Sequence, residues 1–312
     1  MQLIRGQHNL RPQHRHCVAT IGNFDGVHLG HQAVLGQLAE SADKLGLPTT
    51  IITFEPTPQE YFNRGEIPPR LTRLREKIQA LRRFSVQRVL CLKFNRQLAS
   101  LTANEFIQQI LIDGLAIKHL VVGDDFHFGA DRKGDFALLQ QVGERVGFEV
   151  AHMHTFSLAG GRVSSTRIRK ALQLSELPLA AQLLGRPYRM CGRVAHGNQL
   201  GRTIGFPTAN IYLHRQVTPV QGVFAVRLFG IKGEPFNGVA NVGTRPTLKN
   251  GSKQTLLEVH LLDFEGDIYG RYVQVEFLHP LREEQRFANF DALKAQIAID
   301  AAAARSFFAH GG

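Results

Sequence analysis

Cysteine is scarce in this 312-residue chain: Cys17, Cys91 and Cys191 stand far apart, each in an apolar setting. Three scattered residues make neither a disulfide framework nor a zinc site, and they fit buried thiols in a reducing cytoplasm. No apolar run approaches the length of a bilayer span. The opening MQLIRGQHNLRPQHRH is polar and basic and lacks an apolar signal core, so nothing points to export or to a membrane. Internal repeats and low-complexity stretches are absent. So are basic blocks interleaved with aromatics, although the formal net charge is +11. Charge of that sign suits anionic partners. By itself it leaves open nucleic acid and phosphorylated small molecules, the latter needing only a few well-placed cations.

What is present reads as two domains of different class. From Cys17 to about Leu184, short apolar runs alternate with amphipathic segments. Strands are expected at Val18–Ile21, Thr49–Phe54, Arg88–Leu92, Leu120–Val122 and Phe148–Met153. Helices are expected at Gln32–Leu45, Arg73–Phe84, Ala103–Asp113, Asp135–Val146 and Ser165–Gln173. Such alternation predicts a doubly wound α/β domain, its parallel sheet covered on both faces, with ligand at the carboxyl ends of the strands. Past Gly185-Arg186-Pro187 the helical spacing disappears. Short β-rich runs at Tyr188–Val194, Val223–Leu228, Gly238–Val242, Leu256–Leu262 and Tyr272–Phe277 predict a small antiparallel β-barrel. A terminal α-helix, with Leu293, Ile297 and Phe307 facing inward, closes the chain. The expected domains are 1–184 and 185–312.

The first domain is organised around CVATIGNFDGVHLGH, Cys17 to His31. A short strand runs into a turn where Gly22 and Gly26 permit tight bending and close approach to a ligand. His28 and His31, three residues apart at the start of a helix, share one face. Free N–H groups and the positive dipole end gather there, which suits a nucleotide phosphate. Zinc ligation is the competing reading, but no third ligand stands at useful spacing. A second segment, Gly161 to Arg169, opens another helix with Ser164, Ser165 and Thr166 among Arg162, Arg167 and Arg169. One serine suffices for an N-cap. Three hydroxyls beside three guanidinium groups also suit a triphosphate or departing pyrophosphate.

TIGNFDGVHLGHQ together with VSSTRIR resembles the nucleotidyltransferase superfamily, which pairs an HxGH signature with a later serine-rich segment. The long form GNFDGVHLGH, followed by FEPTPQEYF, PPRLT and VVGDDFHFG, resembles the FAD synthetase module of bacterial flavin enzymes. The resemblance implies AMP transfer from ATP to FMN, with His28 and His31 on the ATP phosphates. It also implies that Gly22, Asn23, Phe24, Asp25, Gly26 and Gly30 shape the nucleotide loop, while Arg162, Ser164, Ser165, Thr166 and Arg169 steady the far phosphates. Two positions depart from the pattern: Thr57 stands where some relatives carry His, and Asp125 where some carry Asn. An acidic Asp125 among phosphates needs a cation or another role.

The second domain carries glycines at 197, 201 and 205, then Phe206-Pro207-Thr208-Ala209-Asn210. The glycines serve either a barrel corner or a loop whose N–H groups wrap phosphate. Thr208 and Asn210 lie on one side of an extended chain, and their neutral oxygens suit Mg²⁺ that already carries ATP oxygens. Glu258, in a strand-like run, is a general base for a hydroxyl if it faces that loop, and has no role if it faces solvent. The pattern GxxxGxxxGFPTANI, with NVGTRPT and LEVHLLDFEGDIYG, closely resembles riboflavin kinase. That resemblance implies Mg²⁺–ATP on Thr208 and Asn210, a phosphate loop with Gly197, Gly201 and Gly205, and Glu258 activating the ribityl 5′-hydroxyl of riboflavin, while Arg271 is a candidate flavin neighbour. Phe62, Phe126 and Phe128 in the first domain and Phe287 in the second are candidate flavin neighbours. Together the two domains resemble the bifunctional prokaryotic riboflavin kinase/FAD synthetase family. The resemblance implies a cytoplasmic enzyme working on ATP, riboflavin and FMN with Mg²⁺, without nucleic acid or membrane, and leaves the oligomeric state open.

Overall fold

Runs such as Val18–Ile21 and Thr49–Phe54 are apolar on both sides of a pleated chain, so a strand made from them must be covered twice. In a computed structural model these runs are central strands of the first of two units. The structure describes all residues except 64, 66, 131, 196–206, 216, 232, 247–252 and 312, and gives the backbone alone at 244–246 and 253–254. The first unit comprises Met1–Pro68 with Arg73–Ser164, the second Pro69–Thr72 with Ser165–Gly312.

In the first unit, β1 (Gln2–Arg5), β2 (Val18–Ile21), β3 (Thr49–Glu55), β4 (Arg88–Lys93), β5 (His119–Gly123) and β6 (Glu149–Met153) form one parallel sheet. Its order is β1-β4-β3-β2-β5-β6. Around it lie α1 (Leu29–Leu45), α2 (Pro58–Phe62), α3 (Leu74–Leu81), α4 (Arg96–Ala99), α5 (Ala103–Phe106) and α6 (Phe136–Val146), with a π-helical stretch, Ile107–Gly114, continuing α5. Alternate residues of the strands feed two cores. Ala19, Ile21, Ile52, Leu90 and Leu120 pack with Ile107, Ile110 and Leu139, while Val18, Ile51, Val89 and Val121 pack with Leu35 and Leu38. From β2 the chain lays β3 and β4 to one side and later β5 and β6 to the other. The order therefore reverses between β2 and β5, and the crevice at their carboxyl ends is the expected ligand position. A two-stranded ribbon, β7 (Ser157–Leu158) and β8 (Gly161–Arg162), precedes the end of the unit.

The second unit begins with α7 (Ser165–Gln173) and α8 (Leu177–Leu184) and continues as a closed antiparallel barrel. Its strands are β9 (Arg189–Ala195), β10 (Thr208–Tyr212), β11 (Gly222–Phe229), β12 (Phe236–Pro246), β13 (Lys253–Leu261) and β14 (Tyr272–Arg282), in the order β10-β13-β12-β11-β14-β9. Met190, Ile211, Phe224, Val226, Leu257 and Phe277 are fully buried. On the opposite face Val223, Ala225 and Val239 pack against Ala301 and Ala304 of the terminal helix, Phe290–Ala309. Of the residues expected to face inward, Phe307 packs on this cluster, whereas Leu293 and Ile297 are half-buried along a cavity. The segment Pro69–Thr72 is held to the barrel by two bonds to its carbonyls. Arg215 donates to the Arg70 carbonyl (2.6 Å) and the Tyr188 hydroxyl to that of Leu71 (3.3 Å).

The expected fold class stands, an α/β unit followed by an antiparallel barrel with a terminal helix. Four strands extend the expectation: β1, the two-residue β7 and β8, and β10. β1 lies in the polar N-terminal stretch, and of its four residues only Ile4 is buried. β10 carries the Thr208 and Asn210 pair. One position tests the packing of the first unit. A Cβ on Gly143 in α6 would stand 2.4 Å from the Phe148 carbonyl oxygen. Gly143→Ala gains about 1 kcal/mol of helix propensity, but overpacking against a fixed backbone costs about 1–3 kcal/mol. We expect a lower urea midpoint for Gly143→Ala; an unchanged or higher one would show that α6 can lift off β6 freely.

Candidate active sites

The turn after β2 is held in conformations that side chains resist. Phe24 (φ 48°) and Val27 (φ 44°) have positive φ, as does Gly26 (φ 84°). Such φ values in a β-branched or bulky residue persist only where surrounding packing enforces them. Here both side chains are buried in the core. The Phe24 ring lies 5.0 Å from that of His31 between centroids, tilted by 43°. Asp25 is buried as well, and the Oδ1 of Asn23 is buried without a hydrogen-bond partner.

His28 is the N-cap of α1 rather than a residue of its first turn: its Nδ1 accepts a hydrogen bond from the His31 amide (3.3 Å). An accepting Nδ1 places the proton of a neutral imidazole on Nε2, leaving that N–H as the donor. The two rings stack at 3.6 Å, tilted 19°. Gly30 makes room for this arrangement, since a Cβ there would lie 3.2 Å from His28 and 3.4 Å from the Val163 carbonyl. His31 is held well below the ordinary imidazole pKa by burial, by His28 and by Lys77, in that order. Its Nδ1 is buried without a partner. A buried ring nitrogen beside a helix start, when it carries the ring proton, is a donor that an anionic oxygen would satisfy, whereas the Asn23 Oδ1 calls for a donor.

Lys77 was not expected from sequence. Four residues before Leu81, it sits on the buried face of α3, and its Nζ lies 3.4 Å from Thr53 Oγ1. That hydroxyl lies within 3.5 Å of the Asn23 carbonyl. A helical count of the segment carries the signal, because Lys77 shares the face of Leu81. The two departures from the family pattern acquire roles. Thr57 caps α2, accepting from the Glu60 amide (3.4 Å) while Glu60 accepts from the Thr57 amide (2.9 Å). Asp125 meets its cation within the same unit, Arg162 at 2.7 Å. Both are exposed, so the pair itself adds little stability.

Ser164 closes the first unit, and Ser165, Thr166 and Arg169 belong to α7 of the second. Arg169 donates through Nε to the Pro69 carbonyl (2.8 Å). Among the candidate flavin neighbours, Phe128 is buried core stacked on Phe126. Phe62 is 61% exposed and packs edge-on against Tyr61 and Phe94.

In the barrel, Gly197, Gly201 and Gly205 lie outside the described residues. Register decides the rest. Asn210 on β10 stands opposite Glu258 on β13, and Glu258 stands opposite Asn241 on β12. Directly opposed residues share a face, so Asn210, Glu258 and Asn241 form a row across three strands, with Thr208 and His260 one pair further along. Glu258 faces a cavity of about 270 Å³, shared with Asn241, Thr208, Arg282, Glu284 and Phe287. A second cavity of about 600 Å³ is lined by Thr208, Pro207, Phe264, Asp267 and Tyr269. Thr208 lines both. The Oδ1 of Asn241, a residue not singled out from sequence, is buried without a partner. Such an atom, in a row with a carboxylate and a second amide, fits the all-oxygen donor set of a hard cation. Beneath the smaller cavity Asp300 of the terminal helix receives Arg282 in a fork, Nε to Oδ1 (2.9 Å) and Nη2 to Oδ2 (2.8 Å), and Gln296 at 2.9 Å. Arg271 is exposed in the turn before β14 and belongs to the lining of neither cavity.

Each unit has a counterpart among known families. Residues 10–167 match the FAD synthetase family, and residues 184–308 match the riboflavin kinase family. The bifunctional riboflavin kinase/FMN adenylyltransferase of Pseudomonas fluorescens is 54% identical over 309 residues, covering 99% of this chain and 98% of that protein. The protein of the same description from Escherichia coli K12 is 54% identical over 310 residues, with 99% and 98% covered. The crystal structure of a macrolide-efflux protein from Streptococcus pneumoniae has a TM-score of 0.82 at 32% identity, covering 97% of this chain and 98% of that one. Among the described residues no helix is long and apolar enough to cross a membrane. Matched along almost its whole length and in both units, the chain belongs to the bifunctional riboflavin kinase/FMN adenylyltransferase family.

Proposed function

We propose that the chain makes FMN and then FAD, at two separate sites with a boundary near residue 185. The observation that carries this reading is that each unit holds a separate cluster of candidate groups. One has stacked imidazoles at the switch point of a parallel sheet; the other has a carboxylate between two amides on a barrel face. In the barrel, Glu258 takes the proton of the ribityl 5′-hydroxyl of riboflavin as that oxygen attacks the γ-phosphorus of ATP and ADP departs. Thr208 lines both cavities, which supports placing ATP in the larger, the flavin in the smaller, and the transferring phosphoryl group beside Thr208. Gly197, Gly201 and Gly205 supply backbone N–H groups to the ATP phosphates. Thr208 and Asn210, with the unpartnered Asn241 Oδ1 beside them, would hold Mg²⁺, which when bound neutralises charge on the phosphates.

In the first unit an oxygen of the FMN phosphate attacks the α-phosphorus of ATP, and pyrophosphate leaves. Nε2–H of His28 and the His31 ring donate to phosphate oxygens on which negative charge grows. Positioning and donation carry the reaction without a protein nucleophile. Asn23, Asp25, Gly26 and Gly30 shape the loop that brings the backbone to the nucleotide. Ser164, Ser165, Thr166 and Arg169 take the departing phosphates, and Arg162 joins them if it exchanges Asp125 for phosphate. The three buried thiols form no disulfide, which supports a cytoplasmic enzyme.

Riboflavin, ATP and Mg²⁺ should yield FMN and then FAD, separable by chromatography; absence of both would overturn the reading. His28→Ala should slow FAD formation about 10²–10³-fold while FMN accumulates. Glu258→Ala should stop FMN formation while supplied FMN is still adenylylated. Equal loss of both steps in either folded variant would refute separate sites. His31 also makes stability depend on pH. Its native pKa is depressed, whereas the unfolded imidazole takes up a proton near about pH 6.5, so stability is complete above that pH and falls as pH drops through it. His31→Gln should flatten the decline in denaturation midpoint between pH 7 and 5. A variant as steep as the parent would mean that His31 is protonated in the fold.

A further inference from the structure

We propose that Asp124, His152 and His154 form a binding site for a divalent transition ion of the Zn²⁺ class on the first unit. The three residues meet because β5 and β6 are paired neighbours. Val122 opposes His152 and Gly123 opposes Met153, so Asp124, one residue past β5, reaches the end of β6. His152 and His154 are two residues apart and project to the same side of an extended chain. One ligand atom from each residue lies within 4.8 Å of the other two. His152 Nε2 is 2.9 Å and His154 Nδ1 3.9 Å from the same carboxylate oxygen, Asp124 Oδ1.

Two of the three donors are already oriented. The other carboxylate oxygen, Oδ2, accepts hydrogen bonds from the Thr155 amide (2.6 Å) and hydroxyl (2.9 Å), which turns Oδ1 toward the imidazoles. The His152 ring rests 4.8 Å from Phe136 at the start of α6, a contact that limits its rotation. Support of a ligand from behind in this way is the usual setting of a metal-binding carboxylate or imidazole. His154 is the mobile member, its side chain 92% exposed. Ligands at about 2.0–2.1 Å from a tetrahedral centre stand closer together than the widest separation here, and rotation of His154 closes the difference.

The donor set selects the ion. Two imidazoles and one carboxylate suit Zn²⁺, Co²⁺ or Ni²⁺, whereas the row in the barrel offers only oxygens and suits Mg²⁺. Three protein ligands leave at least one position for water or an incoming anion. The site lies at the carboxyl ends of β5 and β6, and Asp124 precedes Asp125, the partner of Arg162. A bound ion would therefore tie those strand ends together beside the switch-point crevice.

The test is a titration of the full-length protein with Co²⁺ and with Zn²⁺, without nucleotide, in competition with a chromophoric chelator of micromolar affinity. With fourteen histidines in the chain, total uptake is not diagnostic, and the comparison with variants decides. The parent should take up one equivalent more than the His152→Asn/His154→Asn double variant. Asp124→Asn should weaken that equivalent by about tenfold or more. The Co²⁺ form should show the d–d absorption of a four- or five-coordinate site, absent from the double variant. Circular dichroism matching the parent, and retained FAD formation in the double variant, separate loss of the ligands from loss of the fold. Equal stoichiometry in the parent and a folded double variant would overturn the site and leave a plain hydrogen-bonded cluster.

Discussion

The hydrogen bond from the His31 amide to His28 Nδ1 is small in energy, about 1 kcal/mol for an N-cap, yet the first site depends on it. It starts α1 at Leu29 and so sets where the free N–H groups of that helix point. It commits His28 Nδ1 as an acceptor and thereby makes Nε2–H the donor. It also brings the second imidazole over the first, where neither ring can take a proton without raising the electrostatic cost for the other. Around that bond the turn is held by Phe24 and Val27, whose positive φ is maintained because both side chains are locked in the core. The strain lies in the turn backbone, and the packing that maintains it lies beneath.

The barrel solves a different problem, with register as its constraint. Asn210, Glu258 and Asn241 come from three strands that alternate inward and outward with period two. A slip of one residue on any of them would send its member to the opposite face. The interior contacts of Ile211, Leu257 and Val242 forbid that slip, since all three are fully buried. The row of Asn210, Glu258 and Asn241 is thus the outward half of the pattern whose inward half is the core. The Arg282–Asp300 fork extends the same logic to the terminal helix, joining strand and helix where the smaller cavity closes.

Most of the regular structure was legible because burial on both faces leaves a plain trace. The residues of β2 to β5 are almost all buried on both faces, with apolar side chains in the middle of each strand. The strands that escaped notice lacked that trace. β1 has one buried side chain among four, and its place at the sheet edge is decided by pairing with β4. β10 was noticed for its chemistry rather than its pattern, because Thr208 and Asn210 occupy the face that an apolar count would ignore. The helix expected at Ala103–Asp113 continues beyond Phe106 as a π-helical stretch, a change of hydrogen-bond period that apolar spacing does not encode.

The amino-acid sequence by itself determined the order of the two units, the glycine turn that bends around His28, and the residue types each site uses. These are local matters: a turn needs particular φ values, a cap needs an acceptor, and phosphate needs donors close together along the chain. Only the tertiary structure decided which distant groups complete them. Lys77 reaches Thr53 from a helix, Asn241 joins Glu258 through register, and Arg162 neutralises Asp125 across a loop. Asp124 meets two histidines for the same reason, through the pairing of β5 with β6. Proximity of that kind is set by strand order and packing, and neither is visible until the sheet is assembled.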